Sequence, residues 1–225
     1  MFGGKSSRRG SLHDVYALLR KRITVGEYGP GHRLKELDLA RELKVSRTPI
    51  RAAFLRLEQD GLIVSAPSRG VEVAPWTDHD NDEVFDLRAY LESHAAALAA
   101  LRREEEHLVE MDQLNERMAS LIRYRTDDFS ASMEVINGQF HQLILKAARS
   151  PRLAQFVASL MNARQVTGSF FNYSDAQFEK SVADHLAIAG AIRRGNSNLA
   201  RSLMDDHIRN TGAQLRLERA SRPTG

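Results

Sequence analysis

Four side chains in the carboxyl-terminal half of the chain have types and a spacing suited to binding a divalent metal ion. Asn137 and His141 lie four residues apart, so a helix would project both from one face. His185 and His207 follow in two later helical patterns that are separated by Gly195. Three imidazoles and one amide oxygen could surround a metal ion inside a helical bundle and leave positions open for water or a ligand.

A histidine taken alone is more often solvated or hydrogen-bonded than bound to a metal, so only the set carries the hypothesis. The other histidines have no partner at ligand spacing, and we interpret them as surface or structural residues: His13, His32, His79, His94 and His107.

A second set of polar side chains, in the amino-terminal third of the chain, suits contact with DNA. Ser46 or Thr48 could cap a helix, and Pro49 suits its first turn because a missing N–H costs nothing there. Arg47 and Arg51 lie four residues apart on one face, where their guanidinium groups could reach phosphate oxygens or a guanine edge. The alternative interpretation is that both arginines are simply solvated on a surface helix.

The elements that would position these arginines are two short helices joined by a tight turn and followed by a β-hairpin. An inward apolar stripe is predicted for the second helix from residues at helical spacing: Ile50, Ala53, Phe54 and Leu57. Residues 63–66 and 71–74 form two short runs joined by a turn, with Arg69 at its tip and Gly70 after it. Because such an arrangement places one helix in the major groove of DNA, the sequence predicts DNA binding.

Charge is distributed unevenly along the 225 residues. Residues 1–75 contain 14 Lys and Arg against 8 Asp and Glu, whereas residues 76–225 contain 18 against 21. A basic amino-terminal part suits a polyanionic partner. The absence of Cys argues against a disulfide scaffold, and no apolar run approaches membrane-spanning length, so a cytoplasmic protein with no membrane partner is predicted.

After Pro75 the pattern changes to long stretches of helical period, and Thr77 is a candidate cap for the first of them. The predicted fold class is mainly α, with an amino-terminal winged helix-turn-helix and a carboxyl-terminal all-helical bundle. The predicted organisation is a disordered leader at 1–10, a DNA-binding domain at 11–75, a helical metal- and effector-binding domain at 76–219, and a disordered tail at 220–225.

Residues 12–75 resemble the winged helix-turn-helix domain of the GntR family of bacterial transcription regulators. The matching pieces include Pro30-Gly31, Gly61-Leu62, Arg69-Gly70 and the stretch Val45-Ser46-Arg47-Thr48-Pro49-Ile50-Arg51. The resemblance implies that operator DNA is contacted by Ser46, Arg47, Thr48, Arg51, Arg69 and Gly70.

Residues 80–215 resemble the helical ligand-binding domain, called FCD, of the FadR branch of that family. The resemblance is carried by Leu87-Arg88, Leu91-Glu92, Phe140-His141 and His207-Ile208, among others. In metal-containing members, an Asp or Asn four residues before a His joins that His and two later ones around the ion. These roles fall on Asn137, His141, His185 and His207. Zinc is the first choice because imidazole suits it, with nickel or another first-row ion as the alternative.

An amide in place of a carboxylate would leave the full charge of a divalent ion uncompensated by its ligands, which favours an anionic effector. We therefore expect a small carboxylate, such as an organic acid or a sugar acid. Arg88 is expected either to anchor that carboxylate through its planar fork or to pair with Glu92 four residues along the chain. A homodimer on palindromic operator DNA is expected, with effector-induced release making the protein a repressor.

Two other functions fit part of this pattern. A metal-dependent hydrolase could use three His and an open water position, but the chain has no His-Glu-x-x-His, Gly-rich phosphate loop or Gly-x-Ser-x-Gly motif. An effector-independent DNA-binding protein would retain the metal for a purely structural role. The prediction is a transcriptional regulator and not an enzyme.

Overall fold

The computed structural model describes residues 12–24, 26–66, 70–75, 77–126, 128–161 and 173–220. These residues separate into two compact units, and the second begins at Thr77. The predicted leader at 1–10, the predicted wing-tip residue Arg69 and residues 221–225 of the predicted tail at 220–225 lie outside the described residues.

The first unit combines three helices with a three-stranded antiparallel sheet in the order β1-β3-β2. Its elements, in chain order, are α1 (Leu12–Thr24), β1 (Arg33–Leu34), α2 (Glu36–Glu42), α3 (Arg47–Gln59), β2 (Ile63–Ala66) and β3 (Gly70–Val73). The predicted pair of short helices followed by a hairpin is confirmed. The short strand β1, which pairs with the outer edge of β3, was not predicted from the sequence.

The core of this unit explains why α3 presents its basic face outwards. All four residues of the predicted apolar stripe on α3 are buried, against α1 residues such as Leu19 and Ile23. The turn from α2 into α3 passes through Lys44, whose φ of 54° lies in the left-handed region. Burial of one face of α3 leaves the opposite face, which carries Arg47 and Arg51, in solvent.

The second unit is helical in every element that the described residues contain. Its helices are α4 (Asp78–Arg102), α5 (Glu105–Arg123), α6 (Phe129–Ala147), α7 (Pro151–Met161), α8 (Asp175–Arg193) and α9 (Ser197–Ala220). As the sequence predicted, Thr77 caps α4. Its side chain accepts from the backbone N–H of Asp80, and the Asp80 carboxylate accepts in return from the backbone N–H of Thr77.

Small residues let α4 lie close to its neighbours in this bundle. One face of α4 buries a row of alanines: Ala89, Ala95, Ala96, Ala99 and Ala100. The packing of α9 on α4 is tight enough that a Cβ atom added at Gly212 would lie 3.0 Å from the side chain of Phe85. Helices α4, α6, α8 and α9 surround the interior in which the predicted metal ligands lie. No helix among the described residues has the length and apolar character needed to cross a membrane.

Candidate metal centre and DNA-binding surface

The bundle brings three of the four predicted metal ligands together. His141 on α6, His185 on α8 and His207 on α9 are buried, and their ligating nitrogens lie within 4.8 Å of one another. The Nε2 atoms of His185 and His207 are 3.2 Å apart. Three imidazoles from three different helices therefore face one point in the interior.

Asn137, the fourth predicted ligand, lies one helical turn before His141 on α6. Its Oδ1 atom is buried and accepts no hydrogen bond within the described part of the protein. A buried carbonyl oxygen without a donor is costly, and such atoms in native proteins are rare enough to need an explanation. The chemistry of this oxygen fits a ligand for a cation.

Two carboxylates hold the outer sides of the histidine rings, and neither was recognised in this role from the sequence. The Nδ1 atom of His141 lies 2.6 Å from Oε2 of Glu92, and Nδ1 of His207 lies 3.4 Å from Oδ2 of Asp184. Each carboxylate orients its imidazole so that Nε2 faces inwards, as in the carboxylate–histidine–metal arrangements of metalloproteins. Glu92 is on α4, 49 residues from His141 in the chain, so no local spacing could reveal the pairing.

His185 is held differently. Its ring stacks on the ring of Phe140, with centroids 4.1 Å apart and planes inclined by 12°. Its Nδ1 atom is buried and has no hydrogen-bond partner among the described residues. Packing against an aromatic ring, rather than a carboxylate, therefore sets the orientation of this imidazole.

Arg88 adopts one of the two roles that the sequence left open, because its guanidinium pairs with Glu92. Nε of Arg88 donates to Oε1 of Glu92 at 2.8 Å, and the two side chains are only 7% and 3% exposed. The guanidinium also lies over the ring of Phe85, 5.1 Å from its centroid. Arg88, Glu92 and His141 thus form one buried chain of polar contacts.

The protonation states of this site suit a cation. Burial, reinforced by the neighbouring imidazoles, holds the pKa of His185 well below its ordinary value. Burial also lowers the pKa of His207, although the adjacent Asp184 opposes the effect. Burial favours the protonated form of Glu92, but Arg88 and His141 outweigh it, so the pKa of Glu92 falls below its ordinary value. Neutral imidazoles keep a lone pair free for a metal, and the ionised Glu92 supports His141 from behind.

Apart from Arg69, which lies outside the described residues, the predicted DNA-contacting residues lie at the N-terminus and on the exposed face of α3 and at the start of β3. Ser46 is the N-cap residue of α3 by position, but its side chain makes no capping hydrogen bond, so its hydroxyl remains available. Arg47 and Arg51 are 50% and 60% exposed, and both contact Glu36 of α2. Gly70 is exposed and has a φ of 79°, which a glycine adopts without strain. Glu36 was not singled out from the sequence for contact with these arginines.

This combination of a winged helix-turn-helix unit and a separate helical bundle defines a class of DNA-binding regulators. Two family models match the chain and leave little of it uncovered. The model described as bacterial regulatory proteins of the gntR family matches residues 12–73, and the FCD domain model matches residues 83–210. The chain therefore belongs to the GntR family of bacterial regulators and carries an FCD domain as its second unit.

Relatives over most of the length agree with this assignment. The chain is 28% identical over 199 residues to the uncharacterized HTH-type transcriptional regulator YdhC of Bacillus subtilis (strain 168), covering 87% of this chain and 86% of the relative. It is 25% identical over 205 residues to the HTH-type transcriptional repressor RspR of Escherichia coli (strain K12), covering 90% and 88%.

A solved structure, E. coli McbR/YncC, shares the fold with a TM-score of 0.72 at 22% identity, covering 92% of this chain and 98% of that one. The family models and relatives identify a DNA-binding transcriptional regulator, not an enzyme. That part of the prediction is confirmed.

Proposed function

We propose that this protein is a cytoplasmic repressor that binds palindromic operator DNA as a homodimer and releases it when a small carboxylate binds at a metal centre. The metal would be held by Asn137, His141, His185 and His207. Zinc is the first choice because imidazole nitrogen suits it, and nickel or another first-row ion is the alternative.

The observation that carries the metal centre is the convergence of three buried imidazoles with carboxylates behind two of them. A core position filled only for packing would favour apolar side chains, because each buried polar group must otherwise be compensated. The unpaired Oδ1 of Asn137 adds a fourth donor from the adjacent turn of α6. A divalent cation would compensate all four groups at once.

Charge accounting around the site favours an anionic effector. The two carboxylates behind the histidines are already paired with cations, Glu92 with Arg88 and Asp184 with Lys180 at 2.8 Å in both cases. The four proposed ligands are neutral when bound to a metal. The charge of a divalent ion therefore remains uncompensated by these neighbours, and an effector carboxylate that coordinates it would supply the missing negative charge.

Operator binding is assigned to the exposed face of α3 together with the wing. Arg47 and Arg51 supply the charged donors, Ser46 and Thr48 supply hydroxyls, and Arg69 with Gly70 would reach the DNA from the wing. A homodimer would place two recognition helices on two half-sites of a palindrome. The name of the relative RspR as a repressor supports the proposed sign of regulation.

Helix α4 links the proposed metal centre to α9 within the second unit. This helix is the first of the second unit, carries Glu92 behind His141, and packs along α9, which carries His207. An effector can change operator affinity only by binding one arrangement of the protein better than another. A ligand that shifts His207 relative to His141 would act directly on the α4–α9 pair.

Metal content tests the centre. Full-length His141→Gln and His185→Gln should each lose the metal that the wild type retains after dialysis, measured by elemental analysis. His94→Gln is the matched control, since His94 is exposed and contacts Arg201 instead. Circular dichroism must first show that each variant is folded, because a bound metal also contributes to stability. Equal metal in all four proteins would contradict the proposed ligand set.

Effector control is tested by a thermal-shift screen of small carboxylates on metal-loaded and chelator-treated protein. A ligand at 100 times its Kd stabilises the native state by about 2.7 kcal/mol, which a melting curve detects readily. A carboxylate that binds only the metal-loaded form and weakens binding to an operator selected in vitro would support the proposal. Retained metal with no carboxylate binding would identify a structural metal, and tighter DNA binding with the effector would reverse the proposed sign.

A further inference from the structure

Glu36, the first residue of α2, accepts hydrogen bonds from both exposed arginines of the neighbouring helix α3. Its Oε2 accepts from Nε of Arg47 at 3.0 Å and from Nη2 of Arg47 at 2.6 Å. Nε of Arg51 donates to both carboxylate oxygens, at 3.0 Å to Oε1 and 2.9 Å to Oε2. One carboxylate thus fixes the position of two guanidinium groups that come from successive turns of α3.

The nitrogens that Glu36 leaves unused differ between the two arginines. Arg51 contacts Glu36 through Nε alone, so within the described part of the chain both of its terminal nitrogens are unengaged. Bidentate recognition of a guanine edge requires two parallel donors of this kind. Nε and Nη2 of Arg47 both donate to Glu36, which leaves Nη1 as its one terminal nitrogen without a contact to Glu36, and this suits a phosphate oxygen.

The exposure of these side chains shows which groups face a partner. The side chain of Glu36 is 26% exposed, against 50% for Arg47 and 60% for Arg51. The side chain of Glu36 is therefore less accessible to a partner than the side chains of the two arginines. Hydrogen bonds from Arg47, supported by those from Arg51, hold the pKa of Glu36 below its ordinary value, so it is ionised near neutral pH.

We propose that Glu36 is a positioning residue for sequence-specific DNA recognition, aligning Arg51 for a guanine edge and Arg47 for a phosphate. This rests on the proposed operator contacts of the two arginines. An arginine that is already ordered loses less rotamer freedom when it binds, which strengthens the specific complex. The same negative charge opposes binding to phosphates in general. Glu36 therefore increases the ratio of specific to non-specific affinity in two ways: it strengthens the specific complex and weakens non-specific binding to phosphates.

The test uses full-length protein and two DNA probes: the best duplex selected by the wild type from a random pool, and a scrambled duplex of the same composition. Glu36→Gln, which keeps the size of the side chain, should bind the selected duplex about tenfold more weakly, as expected for weakened hydrogen bonds to charged groups. It should bind the scrambled duplex as tightly as the wild type or more tightly.

Asp38→Asn provides a matched control. Asp38 lies in the first turn of the same helix, is exposed, and takes part in none of the ion pairs found among the described residues. The substitution removes the same charge from the same helix terminus without touching the arginines. It should change binding to both probes by the same factor. A loss of specificity equal to that of Glu36→Gln would overturn the proposal, because helix-end charge alone would then explain the effect.

A mutant cycle separates positioning from a merely structural role. In a background of Arg47→Ala with Arg51→Ala, Glu36→Gln should cause no further loss on the selected duplex, since it acts through those side chains. A full loss in that background, or tighter binding of Glu36→Gln to both probes, would overturn the proposal. If the arginine variants bind the selected duplex like the wild type, the recognition-helix contact itself is wrong. If they weaken binding but Glu36→Gln does not, only the role of Glu36 is wrong.

Discussion

Glu92→Gln provides a sharp test of the buried polar chain behind the proposed metal centre. Glu92 accepts a hydrogen bond from Arg88 at 2.8 Å and lies 2.6 Å from Nδ1 of His141, with only 2% of the residue exposed. The glutamine preserves the volume but removes the charge. The guanidinium of Arg88 is then left buried without a counter-ion, and His141 loses the carboxylate that orients it.

The magnitude has two parts. Removing one partner of a buried ion pair costs about 3 to 5 kcal/mol, which sets the expected loss in the unfolding free energy of metal-free protein. Removing a carboxylate behind a ligating histidine lowers metal affinity by about 10- to 100-fold, equivalent to about 1.4 to 2.7 kcal/mol. At saturating metal this second loss adds to the first. Metal-loaded Glu92→Gln should therefore lose more stability than the metal-free variant by that second amount.

The assay is urea unfolding of wild type and variant with and without metal, alongside a chelator competition for metal affinity. The double variant Arg88→Met with Glu92→Gln is the control, because it also removes the buried guanidinium charge that Glu92→Gln leaves unpaired. It should recover most of the metal-free stability while metal affinity stays low. If the double variant is less stable than Glu92→Gln without metal, the explanation from an unpaired buried charge fails. Unchanged metal affinity in Glu92→Gln would refute the orienting role.

Three further predictions concern packing and hydrogen bonding elsewhere in the two units. Tyr16→Phe removes a 2.5 Å hydrogen bond to Asp60 and should lower the unfolding free energy of the first unit by about 1.5 kcal/mol. Burial and that hydrogen bond raise the pKa of Tyr16 above its ordinary 10.0, so its contribution is present below pH 10.0 and is lost as pH rises through the raised value. Urea unfolding between pH 8 and 11 should show a steeper loss in wild type than in Tyr16→Phe; equal slopes would contradict this cause. Gly212→Ala should cost about 1 to 3 kcal/mol because the new Cβ would lie 3.0 Å from Phe85, which an unchanged melting temperature would disprove. Gly138→Ala, with nothing within 4 Å of its Cβ, should instead stabilise α6 by about 0.5 to 1 kcal/mol, and a lower melting temperature would refute the assumed free space.

Local patterns in the chain were sufficient to predict many of the helices and strands. The stripe on α3, the capping residue Thr77 and the helical periods of the second unit are determined by contacts within a few residues, and the structure shows these features. Strand β1 was missed because it has only two residues, and its strand character comes from pairing with β3 rather than from any pattern of its own.

In the candidate site too, contacts within one helix could be predicted from the sequence, whereas contacts between helices could not be predicted from spacing. Asn137 and His141 share a helical face, so their proximity follows from spacing alone. The association of His141 with His185 and His207 was a hypothesis from residue type that the family resemblance supported, and the structure brings the three rings together. Glu92 and Asp184 could not be assigned as supports from spacing, because contacts between helices depend on how the bundle packs.

The amino-acid sequence by itself determined the class of this protein: its helix-turn-helix, its hairpin and the residue types able to bind DNA and a metal. Only the tertiary structure decided which groups pair with which. Arg88 pairs with Glu92, and Glu92 supports His141. Glu36 forms ion pairs with Arg47 and Arg51 of α3. The physical reason is that secondary structure depends on local backbone and side-chain preferences, whereas the pairing of charges across helices depends on the distances that core packing sets.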